Sequence, residues 1–231
     1  MMKIGRIFYC ICILSLCFSQ KAKAQNEIDA IKVEYIVTFE NEDKEIGYLL
    51  AEMFDGNNTA LRAFVTKDYL RIEEYGFAEN IQIIDIKDST SFAYLPSEIE
   101  AGGQKIAYAT SPTVSKIVFS DDLNTEPVII SGDDMELELT DDVQIIEGRT
   151  CHLACFKVDN ENEIWVWYDK SLPQLFFGEY DYLERVPGLP LKIVNKSHAG
   201  NLEGGVVANK VEFIKVKSSI FELPEGFKLS H

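Results

Sequence analysis

The sequence has few of the residues, and none of the motifs, that mark most enzymes. Its only histidines are His152, His198 and His231, and they form no H-E-x-x-H or similar zinc pattern. A G-x-S-x-G elbow, a phosphate-binding loop and the glycine pattern of dinucleotide-binding folds are all missing. Among 38 acidic side chains, the choice of two as a catalytic pair would be arbitrary. We therefore assign no catalytic residue, no metal site and no cofactor, and we expect a protein that is not an enzyme.

Positive charge is also scarce. The chain has 22 Lys and Arg against 38 Asp and Glu, which gives a net charge of −16. Phosphate backbones and anionic lipid surfaces repel so acidic a protein, so we expect no nucleic-acid partner. The acidic surface either serves solubility or faces a basic partner. Pairs such as Asp121-Asp122 and Asp141-Asp142 offer oxygens to Ca²⁺, but they lack the calcium-loop pattern and are equally typical of solvated turns.

Cysteine is nearly absent beyond the N-terminus. Cys10, Cys12 and Cys17 lie within the first 24 residues, and only Cys151 and Cys155 follow. On an extended strand, positions i and i+4 lie about 13 Å apart, whereas a disulfide needs Cα atoms within about 7 Å. Either the strand is interrupted between them or they are two small buried thiols. We favour the thiols.

The N-terminal sequence predicts export. Lys3 and Arg6 precede an apolar run over residues 7–18, and Ala22-Lys23-Ala24 forms an A-x-A cleavage site. These features predict a signal peptide over residues 1–24. Its removal takes away four cations and no anion, so the remaining chain is still more acidic. We expect the protein in the periplasm, outside the cell or at the cell surface.

Two other fates of this segment have less support. The apolar run is too short for a membrane anchor, because a helix needs roughly 20 apolar residues to cross a bilayer core. Lipoprotein processing at Cys17 needs a small residue before it, and Leu16 occupies that place. We expect a mature chain that starts at Gln25 and has no transmembrane segment.

Residues 25–231 predict one mainly β (α+β) domain. Apolar and polar residues alternate over 31–39, which predicts a half-buried antiparallel strand, and many short strand patterns separated by turn signals follow. A helical spacing of apolar residues predicts a short helix over 46–54. Residues 140–147 predict a turn or short helix, and residues 219–223 an edge strand.

A hairpin is predicted for residues 150–158 and 164–168, and its second strand is unusual. Trp165 and Trp167 point to one face, and apolar side chains at the alternate positions point to the other. An antiparallel strand with one wet face should alternate apolar with polar residues. Both faces of this strand therefore need cover.

A helix predicted for residues 172–183 follows directly and is a candidate for that cover. Either it plugs the space beside the strand completely, or it leaves a partly open apolar cavity. In the second case we expect an apolar ligand to contact Trp165, Trp167, Phe176, Phe177 and Tyr180.

Several short motifs run through the chain in a fixed order. They are Gly148 with Cys151, Trp167-Tyr168-Asp169, Leu172-Pro173, Pro187-Gly188-Leu189-Pro190-Leu191, the earlier Tyr69-Leu70-Arg71-Ile72-Glu73, and the closing Phe221-Glu222-Leu223-Pro224-Glu225-Gly226-Phe227. Together they resemble the GLPGLI-type exported proteins and related exported proteins of unknown function with a lipoprotein-carrier-like (LolA-like) fold. The signature differs in one place, where Pro190 replaces its second Gly.

This resemblance implies a curved antiparallel sheet, an incomplete β-barrel, with one to three short helices that cover its concave face. In the carrier branch, that face holds lipid acyl chains. We therefore expect an exported, non-enzymatic binding or carrier-like protein with an apolar, lipid-like ligand in the concave face. The alternative is a cell-envelope interaction or assembly protein that acts on an envelope partner through its acidic surface or a sheet edge, without a small-molecule ligand.

Overall fold

The computed structural model describes residues 26–41, 59–75, 79–97, 105–110, 116–119, 128–131, 135–174, 181–197 and 202–230. These ranges consist mostly of strands. The strands are β1 Glu27–Asn41, β2 Leu61–Val65, β3 Tyr69–Glu74, β4 Asn80–Asp85, β5 Thr90–Tyr94, β6 Lys105–Thr110, β7 Lys116–Phe119, β8 Val128–Ser131, β9 Glu136–Ile146, β10 Arg149–Lys157, β11 Asn162–Asp169, β12 Leu189–Ser197, β13 Leu202–Lys217 and β14 Phe227–Ser230. The helices of the same ranges are two short 3-10 helices, Asp181–Arg185 and Ser218–Phe221, and neither is long and apolar enough to cross a membrane.

Twelve strands form one open sheet in the order β14-β6-β5-β4-β3-β2-β1-β13-β12-β11-β10-β9. Neighbouring strands are antiparallel except for β14, which runs parallel to β6. The long strands β1 and β13 pair at the centre, and β7 and β8 form a separate two-stranded sheet. The sheet is open and curved. The strand content and this curvature confirm the predicted mainly β fold with an incomplete barrel.

One face of the sheet carries the larger of two hydrophobic cores. This core joins Ile72 on β3 with Ile164 on β11, although four strands lie between β3 and β11 in the sheet. The sheet curves around this face, which brings distant strands toward one another. We call this face of the sheet the interior face. Tyr35, Phe156 and Tyr168 are fully buried there.

The chain that follows β11 covers part of the interior face. Leu172, Tyr182 and Leu183 are buried in the larger core, and the ring of Tyr182 meets that of Phe156 edge-on with 5.0 Å between centroids. The predicted helix over 172–183 is wrong where the structure describes it. The residues just after Leu172 form no helix, and the one at Asp181–Arg185 is of the 3-10 type. Residues 175–180, like the helix predicted over 46–54, lie outside the described ranges.

The outer face of β1 to β6 carries the smaller core, which the C-terminal segment covers. Phe221 stacks on Tyr69 with 5.5 Å between ring centroids, and Phe227 lies 4.8 Å from Tyr94. The prediction of an edge strand over 219–223 is therefore wrong. Phe221 turns inward in a 3-10 helix, and the edge strand is β14, after it.

The prediction of a turn or short helix over residues 140–147 is also wrong, because β9 continues to Ile146. Its register with β10 slips at one place, where Leu139 pairs with Ala154 and Val143 with His152, so β9 has two extra residues there. The turn comes later, at Glu147 (φ 49°) and Gly148 (φ 71°). Two successive residues with positive φ are typical of the type I′ turn that joins tight hairpins.

Candidate functional site

The tryptophan strand β11 has the two-sided character that its sequence predicts. Its side chains at 164, 166 and 168 are buried, whereas Trp165 and Trp167 are half-buried. The indole Nε1 of Trp165 donates a hydrogen bond to Glu163 Oε2 at 2.8 Å, and Lys196 Nζ lies 3.7 Å from the indole ring centroid. Trp167 packs against the larger core. Trp165 thus contacts one charged group through its N–H and another over its ring. The other candidate lining residues, Phe176, Phe177 and Tyr180, lie outside the described ranges.

An apolar cavity of about 470 Å³ opens at one end of the interior face. Ile31 on β1 pairs with Val65 on β2 and with Phe213 on β13, so the three side chains share this face. The apolar lining residues are Ala30, Ile31, Val65, Pro173, Phe213 and Ile214, and the polar ones are Asp29, Thr66, Lys67 and Lys215. Phe213 is 66% exposed although its neighbours Ile31 and Val65 belong to the larger core. Among the described residues, the interior face is therefore buried beside β11 and open beyond Ile31.

A second cavity of about 370 Å³ has a polar lining. Arg149 and Asp169 lie in it, and Arg149 Nε donates to Asp169 Oδ2 at 2.7 Å. Ser171 donates to Asp169 Oδ1 through both its backbone N–H (2.8 Å) and its hydroxyl (2.7 Å). Burial disfavours the charged carboxylate, but the hydrogen bonds from Ser171 and Arg149 outweigh it and lower the pKa of Asp169. Asp169 is therefore a charged group, and its carboxylate binds Arg149 and Ser171.

Arg149 connects the two cavities. Its guanidinium carbon lies 5.5 Å from the ring centroid of Phe213, so the charged group that lines the polar cavity stacks on the ring that lines the apolar one. Cation–π contacts of this kind are favourable within about 6 Å. An apolar cavity and a cavity that contains a cationic group are therefore in contact through Arg149 and Phe213.

Cys151 and Cys155 are free and buried, as the sequence predicts. Burial raises the pKa of both thiols to about 11, and the negative charges of Asp169 near Cys151 and of Glu163 near Cys155 act in the same direction. Such thiols are poor nucleophiles, because the thiolate is the reactive form. Within the described ranges, no group of three or more His, Cys, Asp or Glu side chains is placed to hold a metal ion.

Sequence reasoning missed Arg149 and Phe213. Phe213 stands in an ordinary strand pattern beside Ile214, and nothing in that pattern tells which of the two faces the interior. Arg149 on β10 and Phe213 on β13 are 64 positions apart, and β11 and β12 separate their strands in the sheet, so their contact depends on the curvature of the sheet.

Comparisons with known protein families and with curated proteins find no match. Solved structures of PNGF-II in two crystal forms match with TM-scores of 0.52 and 0.50 at 15% and 14% identity. Each match covers 88% of this chain and 31% of PNGF-II, so the chain spans less than a third of that protein's length. At this identity, the likeness concerns the fold alone.

Matched structures also include LolA superfamily proteins, the kind that the sequence motifs resemble. One from Nitrosomonas europaea covers 84% of this chain and 90% of its own, with 11% identity and a TM-score of 0.22. MucB, in its complex with MucA, covers 92% of this chain and 60% of its own, with 11% identity and a TM-score of 0.32. Both are too distant to support conclusions about this chain's activity.

Proposed function

We propose that this protein is an exported, non-enzymatic binding protein that holds an apolar, lipid-like ligand in the cavity beyond Ile31. Export rests on the signal peptide predicted over residues 1–24. The observation that carries the binding role is the exposed aromatic ring of Phe213, which lies beside the buried side chains of Ile31 and Val65 in an apolar cavity.

The size and lining of the cavity support this role. Ligand pockets are commonly 300–1,000 Å³ and mostly apolar with a few polar groups, and this one measures about 470 Å³ with six apolar lining residues. Burial of apolar surface contributes about 25 cal/mol for each Å² removed from water. A chain-like apolar ligand laid against Phe213, Ile31 and Val65 would therefore gain affinity from the surface that the protein leaves uncovered.

Displacement of a fluorescent fatty acid, with native mass spectrometry of the gently purified protein, tests the proposal. We expect bound probe that long-chain competitors release, and a bound species that organic extraction removes. Phe213→Glu should weaken probe binding about tenfold or more, because it places a carboxylate where the apolar chain lies.

Ile86→Glu is the matched control, since Ile86 is another exposed large apolar residue, 47% exposed, in the turn after β4. It should leave probe binding unchanged. A protein that binds no probe and carries no bound species, or one in which both variants bind equally well, would overturn the proposal.

A second candidate function is the capture of a basic, extended segment of an envelope protein by β9. This strand is the last in the sheet order, and it exposes Leu139, Val143 and Ile145. Strands at a sheet edge offer unpaired backbone groups to another strand. Its carboxylates, including exposed Asp141 and Asp142, would face one another if two copies of β9 paired, so charge favours a basic partner over self-association.

An extended peptide that alternates Lys with Val tests this candidate by fluorescence anisotropy. We expect binding that weakens at high salt, and weaker binding by Ile145→Lys but not by the control Ile86→Lys. Equal binding of a peptide with Glu in place of Lys, or no binding at low salt, would count against it.

A further inference from the structure

Arg149 has hydrogen-bonding capacity that the described residues leave unused. Its Nε donates to Asp169, and its guanidinium rests on Phe213, but its terminal nitrogens have no partner among the described residues. The Arg149 side chain is only 23% exposed. A guanidinium offers a planar fork of donors that matches carboxylate and phosphate oxygens. Held from behind by Asp169, it is preorganised for a second anion.

The charges around the two cavities also favour an anion. Lys67 lines the apolar cavity, Lys170 lines the polar one, and neither has an ion-pair partner among the described residues. The two carboxylates of the site are already engaged, Asp29 with Lys215 at 3.7 Å and Asp169 with Arg149. The site thus has an excess of two positive charges in a chain whose net charge is −16. Local positive charge attracts anions to this place.

We propose that the ligand is an anionic amphiphile, and this inference rests on the proposed function of the apolar cavity. Its apolar chain lies against Ile31, Val65 and Phe213, and its carboxylate or phosphate head binds Arg149 and Lys170. Phe213 lies at the boundary, with its ring in contact with the chain and with Arg149. The site therefore selects for the charge of the head as well as for the chain.

Competition against the fluorescent fatty acid separates the contribution of the ligand's head from that of its apolar chain. The competitors are dodecanoate, dodecyl phosphate, dodecanol and dodecyltrimethylammonium, with inorganic phosphate and acetate as heads without a chain. We expect the two anionic amphiphiles to compete at concentrations about tenfold or more below dodecanol, since charge-assisted hydrogen bonds are among the strong ones. The cationic compound should compete least, and the chain-free anions should not compete at millimolar concentration.

Variants of Arg149 test whether this residue is responsible for the preference for an anionic head. Arg149→Met should remove most of the advantage of dodecanoate over dodecanol, with dodecanol itself unchanged, and Arg149→Lys should restore part of that advantage. Lys228→Gln, a change at an exposed position on β14, is the control and should have no effect. Thermal unfolding of each variant shows that it is folded before binding is compared.

Two failures have different meanings. If dodecanol and dodecanoate compete equally in the wild type, or Arg149→Met leaves their ratio unchanged, the inference about the head is overturned while the apolar site stands. If no chain compound competes, the proposed function itself fails. Competition by inorganic phosphate alone would also overturn the inference, since the chain would then contribute nothing.

Discussion

The hydroxyl of Tyr35 donates a hydrogen bond to the carbonyl oxygen of Pro190 at 2.7 Å, and both residues are buried. Tyr35 lies on β1 and Pro190 on β12, which β13 separates in the sheet. Burial strongly raises the pKa of Tyr35, so the hydroxyl is protonated and available as a donor at any ordinary pH. The bond ties two non-adjacent strands together inside the curved face.

Tyr35→Phe should destabilise the protein by about 1–3 kcal/mol, because it leaves a buried carbonyl without its donor. Urea unfolding followed by tryptophan fluorescence measures the change. Tyr168→Phe is the matched control, since Tyr168 is equally buried but its hydroxyl has no hydrogen-bond partner among the described residues. A cost for Tyr35→Phe no larger than that of the control would contradict a stabilising role for the bond.

A charged network on the outer face should make stability depend on pH. Glu73 accepts hydrogen bonds from Arg62, Arg71 and Tyr75 at 3.1, 2.7 and 2.6 Å. Burial of Glu73 acts to raise its pKa, but these donors outweigh burial and lower it below the ordinary 4.5. Because the folded pKa is below the unfolded one, the stabilisation is complete above the unfolded pKa and is lost as the pH falls through the folded pKa.

Glu73→Gln should therefore cost about 1–3 kcal/mol at neutral pH, and the difference from wild type should shrink as the pH falls below about 4. Urea unfolding at a series of pH values measures both. Glu225→Gln, at an exposed position, is the control for the substitution itself and should leave stability at neutral pH unchanged. A difference that stays constant from neutral to acid pH would show that the charge of Glu73 is not what stabilises the network.

Gly148 and Gly188, which belong to the short motifs described in the sequence analysis, should tolerate different substitutions. A Cβ on Gly188 would collide with the carbonyl group of Asp169 and lie 3.0 Å from the Tyr168 ring, whereas a Cβ on Gly148 would meet nothing within 4 Å. Gly148 has a φ of +71°, a value that favours Gly and that Asn also adopts. Gly148→Asn should thus be nearly neutral and Gly148→Val costly. At position 188 both Ala and Asn should cost about 1–3 kcal/mol or more.

Thermal unfolding of these four variants gives the comparison. If Gly188→Asn were as stable as Gly148→Asn, the close approach to Asp169 would not matter for stability. If Gly148→Val were neutral, the turn conformation would not constrain that position.

The strands and the motif around Gly188 show how much of the fold can be predicted from the sequence. The order of short strands, the hairpin of β10 and β11 and the free thiols follow from alternation and spacing, which local sequence records. The motif Gly188-Leu189-Pro190-Leu191 marks the fold rather than a ligand site. Leu189 and Leu191 are fully buried, and Pro190 lies where the register of β12 against β11 shifts, a place where a missing N–H is tolerated.

The open end of the interior face could not be predicted in this way, because it depends on an irregularity in β13. Tyr35 pairs with Ala208 but Glu34 with Lys210, so Asn209 is an extra residue. Beyond it, the inward-facing positions change from even to odd numbers, which places Phe213 on the interior face. A slip of one residue moves every later side chain to the other face, and nothing in the local pattern records it.

The buried thiols give a final prediction. In the chain from Gln25 onward, Cys151 and Cys155 should react slowly with a disulfide reagent at pH 8, since a thiol of pKa about 11 is ionised in only about one molecule in a thousand. Both should react at once after unfolding in urea, and prior reduction should not change the number that react or the urea midpoint. Rapid reaction of the folded protein would contradict the burial of the two thiols. A gain of two thiols on reduction would show a disulfide that the free thiols of this structure exclude.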